Sequence, residues 1–85
     1  MHRVEIYTKM FCGYCVRAKR LLDSKGIEYQ EIELDRGGPE KQAMIERSGG
    51  RTTVPQIFIG GSHVGDCDEL FELERQGKLD ALLAA

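Results

Sequence analysis

Between Val4 and Leu34 the hydrophobic pattern changes its period twice, which constrains the fold more than any other feature of the chain. Val4-Glu5-Ile6-Tyr7-Thr8 alternates apolar and polar residues and contains β-branched side chains, the pattern of a strand with one face on a core. Lys9-Met10-Phe11 connects it to Cys12. From there Cys15, Ala18, Leu21 and Leu22 recur at helical spacing, Lys19, Arg20 and Asp23 occupy the other face, and Gly26 supplies a left-handed stop. Tyr29-Gln30-Glu31-Ile32-Glu33-Leu34 returns to a period of two. A strand, a helix of about three turns and a second strand in so short a stretch close as a right-handed crossover onto a parallel pair. A βαβ unit therefore opens an α/β fold.

The rest of the chain turns antiparallel. Asp35-Arg36-Gly37-Gly38 reads as a loop, and Pro39 suits the first position of a helix through Ala43, Met44 and Ile45 that Ser48-Gly49-Gly50 breaks. Gln56-Ile57-Phe58-Ile59, the Gly60-Gly61 pair and Ser62-His63-Val64 predict a β-hairpin on a tight glycine turn. Asp66 or Asp68 can cap a helix through Leu70, Phe71 and Leu73 to Gly77, and Leu79, Leu82 and Leu83 predict a short terminal helix. With 85 residues, 41% hydrophobic and 31% charged, residues 1–85 are expected to form a single globular domain.

Composition narrows the function classes. Twelve Lys and Arg against fourteen Asp and Glu leave a formal net charge of −2, which is not the basic footprint of a nucleic-acid binder. No apolar run approaches the length of a membrane span, and Met1-His2-Arg3 leads directly into the first strand pattern, so a soluble, cytoplasmic protein with no membrane partner is expected. Three cysteines are too few, and odd in number, for the disulfide framework of a small secreted domain. Cys12, Cys15 and Cys67 therefore point to metal binding, redox chemistry or simple core filling.

Cys12-Gly13-Tyr14-Cys15 lies where a strand hands over to a helix, and the i, i+3 spacing brings its two sulfurs together. The unpaired N-H groups and positive dipole end of the helix favour a thiolate on Cys12, and Lys9, Arg17, Lys19 and Arg20 add cationic potential. For a thiol lowered to a pKa of about 5, the gain in thiolate fraction at neutral pH nearly cancels the loss in nucleophilicity; the net advantage comes when that sulfur is the leaving group. Turnover through a Cys12 mixed disulfide is the expected chemistry. A zinc site from Cys12, Cys15, His63 and Cys67 is the competing arrangement, although structural zinc pairs usually occupy a knuckle turn of their own. For Cys67 the expectation is a small buried residue. Thr53-Val54-Pro55 marks a strand entrance, since proline cannot join a sheet interior; base rates alone favour a trans bond there.

Together, Val4 to Lys9, the Cys12 to Cys15 motif, Arg51-Thr52-Thr53-Val54-Pro55-Gln56-Ile57-Phe58-Ile59, and Gly65 with Cys67-Asp68 before a helix resemble the glutaredoxins. The resemblance runs from Val4 to Leu83 and is strongest to the short bacterial dithiol class. It implies a thioredoxin fold, a four-stranded mixed sheet flanked by helices, with Pro55 in a cis bond. It also implies a glutathione-dependent thiol-disulfide oxidoreductase acting on glutathione mixed disulfides and protein disulfides, with Cys12 as nucleophile and Cys15 resolving the mixed disulfide. Glutathione would lie against Tyr14, Thr53, Val54 and Pro55. Lys9 and Arg51 would meet its glycine carboxylate, the N-H groups of Cys67 and Asp68 its γ-glutamyl carboxylate, and the Asp68 side chain its ammonium. The partners implied are glutathione and glutathionylated or disulfide-containing proteins, and the state implied is a monomer. The alternative in the same family is a glutathione-ligated [2Fe-2S] carrier with Cys12 as ligand, a cluster-bridged homodimer. Two positions depart from the commonest pattern: Gly13 replaces a proline, and Asp66 stands where a glycine is usual and adds negative charge beside the expected γ-glutamyl site.

Overall fold

The computed structural model describes residues 2–84. Eight elements follow in the order β1 Val4–Thr8, α1 Gly13–Ser24, β2 Gln30–Glu33, α2 Pro39–Arg47, β3 Gln56–Ile59, β4 Ser62–Gly65, α3 Cys67–Arg75 and α4 Leu79–Ala84. The sheet order is β2-β1-β3-β4. β1 and β2 pair in parallel, with Ile6 opposite Glu31, and β3 runs antiparallel to both β1 and β4. This is the four-stranded mixed sheet of the thioredoxin fold.

The parallel pair follows from the crossover through α1, and the antiparallel pair from the two-residue turn between Ile59 and Ser62. Gly60 and Gly61 hold φ of 60° and 84° there, the left-handed conformations that a tight hairpin turn requires of both central residues. Gly26 ends α1 with φ 69°, as its position after the last apolar residue predicts. Pro39 opens α2 at its first turn.

Helices cover both faces of the sheet. On one face Val4, Ile6, Ile57 and Ile59 pack with Ala18 and Leu22 of α1, Cys67 and Leu70 of α3, and Leu79 and Leu83 of α4. On the other, Tyr7, Leu34 and Phe58 pack with Met44 of α2. The alternating pattern of β1 predicts one buried face, but all five of its residues are buried. The physical reason is its central position together with Arg47, which reaches back from α2. The Arg47 guanidinium lies 4.1 Å from the centre of the Phe58 ring, bonds the Tyr7 hydroxyl at 2.9 Å and pairs with Glu5 at 2.8 Å. That hydrogen bond and the adjacent charge outweigh burial and hold the Glu5 carboxyl below its usual range. A polar letter in β1 is thus the buried half of an ion pair.

Candidate functional site

The connection from β1 to α1 brings Cys12 to the C-terminal edge of the central strand and makes it the N-cap of α1. A helix start leaves its first N-H groups without intrahelical acceptors, and Ser, Thr, Asp or Asn normally supplies an oxygen. Here the sulfur does so: the Cys15 N-H donates to Cys12 Sγ at 3.2 Å. Phe11 precedes it with φ 57°, a left-handed conformation uncommon for a non-glycine residue, and its side chain is fully exposed. No glycine or asparagine signals that turn in the sequence.

The two sulfurs of the motif have different surroundings. Cys12 is half-buried, and its thiol donates toward the Val54 carbonyl at 3.9 Å. Cys15 is buried, and that burial, joined by its hydrogen bond with Cys12, pushes its thiol up to about 12. The Lys9 backbone N-H and the Lys19 charge oppose the rise. Lys19 itself is held 2.9 Å from Glu31, whose carboxyl also accepts from Thr8 at 2.7 Å.

Beside Cys12 opens a cavity of about 310 Å³ lined by Tyr14, Thr53, Val54, Pro55, Asp66, Cys67 and Asp68. Three chain segments meet there: the first turn of α1, the loop entering β3, and the start of α3. The Val54-Pro55 bond is cis. Gln56, completely buried, braces the loop from behind, donating to the Thr53 carbonyl at 3.0 Å while its side-chain oxygen lies 2.6 Å from His63 Nε2. Burial, and next the charge of Arg51, push His63 below its usual value, so it is largely neutral at pH 7.

Asp66 caps α3 through a reciprocal box. Its carboxylate accepts from the Glu69 N-H, and the Glu69 side chain accepts from the Asp66 N-H, each at 3.0 Å. Gly65 precedes it with φ 127°, and a Cβ at that position would overlap the Glu69 side chain. Cys67 and Asp68 are the first two residues of α3, so their N-H groups lack a carbonyl one turn earlier and remain as donors beside the cavity. Burial raises the Cys67 thiol above its ordinary value.

Of the residues singled out from the sequence, Tyr14, Thr53, Val54, Pro55, Cys67 and Asp68 share the cavity wall. Cys12 adjoins it through the Val54 carbonyl, and Cys15 is buried next to Cys12. Lys9 is exposed and Arg51 is half-buried, and neither lines the cavity. Arg51 turns toward α3, with Nη2 at 3.2 Å from Asp66 and 2.6 Å from Glu69. Asp66 thus adds its negative charge beside the cavity with a partner at hand, a guanidinium that it shares with Glu69. Among the described residues no three His, Cys, Asp or Glu side chains are placed to hold a metal ion, and the zinc arrangement of Cys12, Cys15, His63 and Cys67 is not assembled. His63 is occupied by Gln56 instead. Among the described residues no helix is long and apolar enough to cross a membrane.

Comparison with known proteins follows the same lines. The family model described as Glutaredoxin matches residues 4–64. A glutaredoxin of Pseudomonas aeruginosa is 59% identical over the whole of both chains, and Glutaredoxin 3 of Escherichia coli K12 is 55% identical over 98% of this chain and 99% of its own. Among solved structures, a buckwheat glutaredoxin-glutathione complex superposes with a TM-score of 0.84 at 40% identity, covering 96% of this chain and 76% of the other. The dithiolic glutaredoxin 2-C-Grx1 of Trypanosoma brucei brucei superposes with a TM-score of 0.85 at 34% identity, over 98% and 88% of the two chains.

Proposed function

The chain belongs to the glutaredoxin family of glutathione-dependent thiol-disulfide oxidoreductases, and from that premise we propose that it removes glutathione from mixed disulfides through Cys12 and reduces protein disulfides through Cys12 and Cys15. The observation that carries the reading is the Cys12 sulfur, N-cap of α1, beside a cavity walled by Thr53-Val54-Pro55 and the start of α3.

In the first step the Cys12 thiolate attacks the glutathione sulfur of a glutathionylated protein. A bond forms between those two sulfurs, the original disulfide breaks, and the protein sulfur leaves as a thiolate that takes a proton from solvent. In the second, the thiolate of another glutathione attacks the glutathione sulfur bound to Cys12, forming oxidised glutathione and returning Cys12 as a thiolate. The Cys15 N-H already donates to Cys12 Sγ and so meets the charge that develops there on departure. Where the bound partner is a protein, Cys15 attacks Cys12 Sγ instead, closes the Cys12–Cys15 disulfide and expels the partner thiolate.

Substrate placement uses the groups that wall the cavity. Val54 lines the cavity, and in this reading its backbone pairs with the extended tripeptide while Tyr14 and Pro55 pack on the tripeptide's apolar atoms. The N-H groups of Cys67 and Asp68 receive the γ-glutamyl carboxylate as a helix N-terminus receives an anion, and the Asp68 carboxylate receives the ammonium. Lys9, exposed and without an ion pair among the described residues, is available to the glycine carboxylate.

The test is a glutathione-coupled reduction of a glutathionylated peptide. Cys12→Ser is expected to abolish turnover, and Cys15→Ser to retain it because free glutathione resolves the intermediate. Equal loss in the two variants would refute the assignment of roles. A glutathione-ligated [2Fe-2S] role would draw on the same Cys12 sulfur, with Cys15 left as bystander; the proximity of the buried Cys15 favours the dithiol chemistry.

A further inference from the structure

Asp66 sets an electrostatic problem for the site. Its carboxylate lines the same cavity as Cys67 and Asp68. On the reading above, a carboxylate of glutathione meets the N-H groups of those two residues, and a second carboxylate one position away would repel it. Serine, threonine or asparagine would cap the helix without that charge.

The fold holds a counter-charge in place. Asp66 Oδ1 accepts the Glu69 N-H, and Asp66 Oδ2 lies 3.2 Å from Arg51 Nη2, so both carboxylate oxygens are engaged. The same nitrogen of Arg51 donates to Glu69 Oε1 at 2.6 Å, and that oxygen also accepts the Asp66 N-H. One guanidinium thus bridges the two acids of the capping box. Of these three residues only Asp66 lines the cavity; Arg51 and Glu69 stand behind it. Arg51 reaches the box because it lies only two residues before Thr53, in the segment that forms the facing wall. It therefore joins the two walls of the cavity as well as their charges.

We propose that Arg51 is a positioning residue: shared between Asp66 and Glu69, it offsets part of the Asp66 charge and fixes the start of α3, making an acidic N-cap compatible with anion binding, and does not itself contact glutathione. The inference rests on the glutathione reading of the cavity. It separates this chain's Arg51 from a simple cation for the ligand, and it assigns a partner to the one acidic residue that departs from the usual sequence pattern.

A double-mutant cycle on the full chain tests it, with Arg51→Gln, Asp66→Asn and the pair compared with wild type for reduction of a glutathionylated peptide at about pH 7.5, where His63 is neutral. Asparagine keeps the cap and removes the charge. Arg51→Gln is expected to raise KM about fivefold to tenfold with kcat within about twofold, because an exposed like charge weakens binding before chemistry. Adding Asp66→Asn should bring KM back to within about twofold of wild type, and Arg51→Lys should remain near wild type. The penalty in Arg51→Gln should also shrink in high salt, where exposed charges are screened. A double variant as impaired as Arg51→Gln would overturn the inference and assign Arg51 directly to the ligand; an unchanged KM in Arg51→Gln would overturn it too. If Arg51→Gln does not fold, as judged by circular dichroism, the double variant is compared with Asp66→Asn alone: equal KM values support the counter-ion, and a rise of about fivefold or more on losing Arg51 overturns it. Failure of the underlying reading is distinct, because wild type would then show no turnover that depends on Cys12 and glutathione.

Discussion

The proposed roles make Cys15 the slow titrating group of the dithiol route, and its pH profile follows from its surroundings. Burial, joined by the neighbouring Cys12, pushes the Cys15 thiol up to about 12. At pH 7 that leaves only a trace of Cys15 thiolate. When Cys12 is bound to glutathione, its share of the rise disappears, while burial, the largest cause, stays. Cys15 in the mixed disulfide therefore still titrates above the ordinary thiol value of about 8.5. Attack needs the thiolate, so closure onto Cys12 should accelerate about tenfold per pH unit from about pH 6 to about pH 8 without levelling. Resolution by free glutathione, an ordinary thiol, flattens near its own pKa, which separates the two routes. The chain has no tryptophan, so mass provides a more direct signal than intrinsic fluorescence. Cys12 is loaded with an activated glutathione disulfide near pH 4, where Cys15 is protonated, freed of small thiols, jumped to each pH, quenched in acid and weighed. Wild type should lose the glutathionyl mass with a log-linear slope near one; Cys15→Ser should keep it. A wild-type plateau at or below about pH 8 would refute the reasoning, since Cys15 would then titrate as an exposed thiol.

Asp68→Ala should raise KM for a glutathionylated peptide about 10- to 150-fold, the loss of a charge-assisted bond worth about 1.5–3 kcal/mol, while Cys12 alkylation by a neutral reagent changes little; an unchanged KM would move the ammonium site elsewhere. Glu5 ionises more readily in the folded protein than its ordinary value of 4.5. A depressed carboxyl contributes stability above its unfolded value and loses it as pH falls through the folded one. Glu5→Gln should accordingly lower stability by about 1–2 kcal/mol at pH 7, with the difference from wild type shrinking below about pH 4.5 in thermal unfolding; a difference constant down to about pH 3 would contradict the Glu5–Arg47 account.

Where local pattern decides structure, the sequence is legible. The period changes between Val4 and Leu34, Gly26 after α1, Pro39 before α2 and the Gly60-Gly61 turn each specify an element from neighbouring residues, and the elements observed follow them. The cysteine motif at a strand-to-helix junction is legible for the same reason. What the sequence does not display are pairs made by distant polar side chains. Arg47 and Glu5 lie 42 positions apart and convert an apparently half-exposed strand into a fully buried one. Gln56 reads as a polar strand residue, yet it is buried between His63 and Thr53. Asp66 reads as an isolated charge until the fold brings to it the Arg51 guanidinium that it shares with Glu69. Phe11 adopts a left-handed conformation that its residue type argues against. Each is set by tertiary placement, which periodicity does not encode.

The central claim is that Cys12, and no other cysteine of the three, carries the glutathionyl intermediate. The most direct measurement is to incubate Cys15→Ser with oxidised glutathione under non-reducing conditions, digest it and map the modified peptide by mass spectrometry. The account predicts one glutathionyl group per chain, on Cys12, with buried Cys67 unmodified. A chain that takes up no glutathione, or one modified at Cys67 while Cys12 stays free, would contradict it.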